Sequence, residues 1–68
     1  MNLVDVTFKA YTSENGYCDC TTRIPVNRDL TGVDLMYQAI VLAIRDWNEH
    51  NLYQISEKDI VSVEIIAN

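Results

Sequence analysis

Apolar and polar residues alternate from Val4 to Tyr11, with Val4, Val6, Phe8 and Ala10 on one face and Asp5, Thr7, Lys9 and Tyr11 on the other. That period of two predicts a half-buried strand. The alternation resumes from Tyr17 to Val26 and sets Cys18, Cys20, Thr22, Ile24 and Val26 against Tyr17, Asp19, Thr21, Arg23 and Pro25. Ser13-Glu14-Asn15-Gly16 lies between the two runs and carries the chemistry of a hairpin turn. A two-residue Asn15-Gly16 loop would oppose every apolar residue of the first strand to a polar one. A three-residue Glu14-Asn15-Gly16 loop aligns Val4 with Val26, Val6 with Ile24, Phe8 with Thr22 and Ala10 with Cys20. The expectation is therefore a type I turn with a bulge and a left-handed Gly16, which also opposes Tyr11 to Asp19.

Beyond the polar connector Asn27-Arg28-Asp29 the period lengthens. Thr31, with Asp34 three residues on, resembles a capping box and predicts a helix starting near Gly32. Val33, Met36, Ala39, Ile40, Ala43, Ile44 and Trp47 form one stripe, with Asp34, Gln38, Arg45 and Glu49 opposite. The polar run Asn48–Asn51 ends the helix, and Ser56-Glu57-Lys58-Asp59 predicts a second cap over a single turn. A last strand then runs from Ile60 to about Ile66, burying Val61, Val63 and Ile65 and turning Ser62 and Glu64 to water.

The order strand, strand, helix, strand, with a right-handed crossover, places the last strand beside the first. The expected fold is α+β: a three-stranded antiparallel sheet ordered 2-1-3, one helix on one face, and a single domain over residues 1–68. A chain of this length buries only about 60% of the surface its unfolded form exposes, which favours association. Ten carboxylates oppose five cations for a net charge of −5, and this repels a phosphate backbone. No run reaches the ~20 apolar residues that span a bilayer. The opening Met1-Asn2-Leu3-Val4-Asp5 lacks a basic stretch before an apolar one, so no membrane contact and a cytoplasmic location are expected.

Candidate chemistry is sparse. Cys18 and Cys20, two apart on one strand face, cannot readily form a mutual disulfide, and free thiols fit a reducing compartment. With the lone His50 they supply three of the four ligands that structural zinc takes, so core packing is the expected role of both cysteines and no metal or other cofactor is expected. His50, near the helix C-terminus, can serve the last carbonyls as an imidazolium. One histidine with no flanking motif, and glycines confined to a turn and a helix start, predict a protein that is not an enzyme.

Surfaces carry more than sites do. Leu35 and Leu42 lie seven apart on one flank of the helix and Tyr37 and Val41 on the other, an apolar arc wider than a small sheet covers. The edge of the last strand, with Ile60, Ser62, Glu64 and Ile66, has no partner within the chain. Lys9, Tyr11, Tyr17 and Arg23 share the open sheet face, a combination used by single-stranded nucleic-acid platforms. The compact acidic pattern, with Ser56-Glu57-Lys58-Asp59-Ile60 leading into the closing strand, is similar to small phage and prophage proteins of Gram-positive bacteria. That resemblance implies a host- or phage-directed interaction protein and assigns no site residues. The expected function is a non-enzymatic protein–protein interaction module, self-associating as a homodimer through Leu35, Leu42 and the last strand. Two alternatives are an acidic inhibitor mimicking nucleic acid and a single-stranded nucleic-acid binder using the open face.

Overall fold

The computed structural model describes residues 1–67. Strand β1 spans Asn2–Thr12, β2 Gly16–Val26, helix α1 Gly32–His50, a single 3-10 turn Glu57–Asp59, and β3 Ile60–Ala67. The sheet is antiparallel and ordered β2-β1-β3, with α1 packed on one face. Among the described residues no helix is long and apolar enough to cross a membrane.

The even-numbered residues of β1 face the helix, as their alternation requires. Val4, Val6, Phe8 and Ala10 are buried with Ile24 and Val26 of β2, Leu35, Ala39 and Ala43 of α1, and Ile55. Phe8 meets the Trp47 ring edge-on at a centroid distance of 5.2 Å.

The hairpin register differs from the expected one by one pair step. Thr12 lies opposite Gly16, so Ser13–Asn15 form the connection. Val4 faces Ile24, Val6 faces Thr22, Phe8 faces Cys20 and Ala10 faces Cys18. Gly16 is left-handed as expected, with φ +70°. Two causes set the register. The Thr12 hydroxyl accepts the Asn15 amide at 3.0 Å and donates to the Gly16 carbonyl at 3.2 Å, closing the turn at Thr12. On the opposite face the observed register sets Asp5 against Arg23, Thr7 against Thr21 and Lys9 against Asp19, every one of them a bonding pair. The expected register would have opposed Asp5 to Pro25 and Lys9 to Thr21. Tyr11 consequently faces Tyr17 and not Asp19.

Helix α1 begins at Gly32 without the expected Thr31 cap bond. Gly32 enters the helix left-handed, with φ +57°, and it is the Thr31 carbonyl that meets the first turn, accepting the Leu35 amide at 3.3 Å. The core stripe is also rotated. Leu35, Ala39 and Ala43 are the buried positions, while Val33 is 81% exposed. Ala39 and Ala43 let the backbone approach the sheet closely, and this sets the helix phase.

Strand β3 carries two register irregularities against β1. Thr7 opposes Ser62 while Phe8 opposes Ile60, leaving Val61 over; Leu3 opposes Ala67 while Val4 opposes Ile65, leaving Ile66 over. Two surplus residues of this kind are bulges. They correct the expected burial, because Ile60 and Val63 pack on the core and Val61, like Ile65, is exposed. The Ser56–Asp59 cap forms as read: the Asp59 carboxylate accepts the Ser56 amide at 2.9 Å, and the Asp59 amide donates to the Ser56 carbonyl at 3.0 Å.

Candidate interaction surface

Three surfaces were legible as candidates, and they fare differently. On the open sheet face the cations are engaged. Arg23 grips Asp5 through two bonds, Nε to Oδ1 at 2.8 Å and Nη2 to Oδ2 at 3.1 Å, and Lys9 Nζ lies 3.0 Å from Asp19. The guanidinium holds the Asp5 carboxyl below its ordinary range, chiefly through that hydrogen bond. Tyr11 rests edge-on against Tyr53 at 4.6 Å, and Tyr17 is exposed opposite it. Cations already matched to carboxylates are poorly placed to take phosphates.

The cysteines and His50 do not assemble into a centre. Cys18 and Cys20 are free and half-buried, and burial, followed by the neighbouring Cys18, pushes the Cys20 thiol up, away from reactivity. His50 Nδ1 sits 2.8 Å from the Asp46 carbonyl at the end of α1. That bond and the nearby Asp46 carboxylate raise its pKa. Among the described residues no group of three or more His, Cys, Asp or Glu could hold a metal ion. The carboxylates are dispersed: Asp5, Asp19 and Glu64 lie on the bare sheet face, Asp34, Asp46 and Glu49 on the helix, and Glu14, Asp29, Glu57 and Asp59 in the connections.

The third surface is the edge of β3 with the helix beside it. Ser62 and Glu64 face solvent opposite Thr7 and Asp5, and Ile66, 41% exposed, stands out at a bulge. Ile60 is half-buried opposite Phe8 and belongs to the floor of this surface. Leu35 is 3% exposed, and Leu42 is half-buried against the core. The pair expected on a surface flank is thus a core pair, because the helix is turned toward it. Leu42, Arg45, Asp46 and Glu49 line a groove with Thr22–Pro25, which places that flank over β2. The opposite flank, over β3, carries Val33, Met36, Tyr37, Ile40 and Ile44, of which the first three are exposed. With Val61, Ile65 and Ile66 of the strand, those three are the exposed apolar residues bordering the β3 edge, on the flank opposite to the one expected at Leu35 and Leu42. The signal for it was present in Leu35-Ala39-Ala43-Trp47, a four-residue spacing whose small central members mark the side of closest approach.

The stretch after α1 covers none of this surface. Asn48 clasps Ile55, donating to its carbonyl at 3.0 Å and accepting its amide at 2.8 Å, while Trp47 Nε1 donates to the Tyr53 carbonyl at 2.9 Å. The segment is thereby folded under the other end of the sheet, with Ile55 in the core and Leu52 exposed. No protein-family model, curated protein or solved structure matches the chain.

Proposed function

We propose that this chain is a non-enzymatic protein–protein interaction module that self-associates through the free edge of β3 and the adjoining flank of α1. The observation that carries the reading is the coincidence of an unpaired strand edge with exposed apolar side chains on both elements that border it: Val61, Ile65 and Ile66 on the strand, Val33, Met36 and Tyr37 on the helix. The free thiols fit action in a reducing cytoplasm. In the phage or prophage setting that the Ser56–Ile60 lead-in resembles, the assembled form would be the one that meets a host or phage protein.

Sedimentation equilibrium from low to high micromolar concentration tests this. A reversible dimer is expected for the full chain. Val33→Glu and Ile66→Lys are expected to shift it to monomer while leaving the melting temperature at low concentration nearly unchanged, since exposed substitutions move stability by only about 0.5 kcal/mol. A monomer at all concentrations, or a dimer indifferent to both substitutions, removes the reading.

A further inference from the structure

Resting on that reading, the structure also specifies how two copies meet. Two identical edges can pair antiparallel only about a two-fold axis normal to the sheet, and antiparallel ladders alternate two kinds of residue pair. Symmetry-related pairs must be of the same kind, whereas adjacent pairs are of opposite kinds. One residue of β3 must therefore face itself.

The bulges at Val61 and Ile66 leave a regular run of Ser62, Val63, Glu64 and Ile65. Centring on Glu64 would bring two carboxylates to about 5 Å, between chains that each carry −5. Centring on Ser62 or Ile65 shortens the overlap to residues 60–64 or 63–67 and opposes Glu64 to an isoleucine. Centring on Val63 overlaps residues 60–66. It sets Val63 against itself, Ile65 against the second copy's Val61, and Glu64 against the second copy's Ser62, a hydroxyl able to donate to the carboxylate.

We propose that β3 pairs with β3 of a second copy in the register centred on Val63, making a six-stranded sheet ordered β2-β1-β3-β3-β1-β2 with both helices on one face. Each helix touches all three of its own strands, so its axis lies over the middle one. Two such axes stand three strand spacings apart, about 14 Å, against 8–10 Å for helices in direct contact. Met36, Tyr37 and Ile40 on the facing flanks are the long side chains that span this gap. The assembly closes at two copies because the outer edge of β2 offers Pro25, which has no amide to donate, and the charged Asp19 and Arg23.

Ser62→Lys tests the register by placing an ammonium opposite the second copy's Glu64 twice per dimer. At low salt the dimer dissociation constant is expected to fall about fivefold, and adding Glu64→Gln is expected to abolish the gain. Glu14→Gln makes the same change in net charge at the hairpin turn and is expected to have less than half of that effect. In a Cys18→Ser, Cys20→Ala background, Val63→Cys is expected to form an intermolecular disulfide under mild oxidation and Ile66→Cys is not. A dimer whose affinity is unchanged or weakened by Ser62→Lys, or which cross-links through Ile66→Cys instead, overturns the register and leaves self-association standing. A chain that stays monomeric at every concentration overturns self-association itself.

Discussion

Asp5 and Arg23 clasp each other across the bare sheet face, and the pair makes stability depend on acid. The folded carboxyl titrates below its ordinary value of 3.8 because of the Arg23 hydrogen bond. Its contribution is present above that value and is lost as pH falls through the lowered folded value. Asp5→Asn is therefore expected to flatten the acid limb of a plot of urea midpoint against pH. His50 behaves oppositely. Its pKa is raised above 6.5 by the Asp46 carbonyl and carboxylate, so its contribution is complete below 6.5 and fades as pH rises through the raised folded value. In His50→Gln the melting temperature should lose that decline above pH 6.5. Asn2 is the one buried polar residue among those described, and its amide donates to the carbonyls of Asn27 at 3.0 Å and Leu30 at 3.1 Å. Asn2→Ala would strand the Leu30 carbonyl, while the Asn27 carbonyl keeps the Leu30 amide at 3.2 Å; the cost is about 1–3 kcal/mol, readable as a lowered urea midpoint.

At the scale of elements, strand and helix identity followed from period, and the strand order from a crossover rule. What escaped the sequence was phase and register, which depend on interactions between elements. Apolar parity along β1 and β2 could reject odd registers but could not distinguish two even ones, and opposite charges on the polar face made that choice. Likewise the helix stripe drawn through Val33 and Met36 counted apolar residues without weighing size, so two alanines that mark the point of closest approach were given no special place. The bulges of β3 had no local sign, because Val61 and Ile66 differ from their neighbours only in what lies across from them. Strand β1 pays its way on both sides, and Phe8 at its centre touches β2, β3 and α1. Phe8→Ala is expected to cost about 3–5 kcal/mol against a total on the order of 3–10 kcal/mol for a chain of this length, so denaturant titration should find little folded protein left.

As a whole, the molecule is elongated, 37 × 18 × 18 Å, and several of its exposed apolar residues lie toward its two ends. Met1, Val33, Ile65 and Ile66 lie where α1 begins and β3 finishes; Tyr11, Tyr17, Leu52 and Tyr53 lie at the hairpin end. The proposed pairing along the edge of β3 would bring together two copies of the same sign, each carrying −5. Salt is therefore expected to strengthen the proposed dimer by screening that repulsion, in contrast to the usual weakening of charge-driven complexes. Sedimentation at two ionic strengths checks the direction.

The chain's one tryptophan can report separately on the segment after α1 and on the core. Trp47 holds the core through the edge of Phe8 and holds the following segment through its indole N–H on the Tyr53 carbonyl. Release of that segment would free the indole N–H to water while Phe8 stayed in place, shifting emission to the red with the helical signal intact. Loss of the whole fold would move both together. Fluorescence and circular dichroism followed side by side can thus separate a loosening of one end from the collapse of the domain, with no label attached.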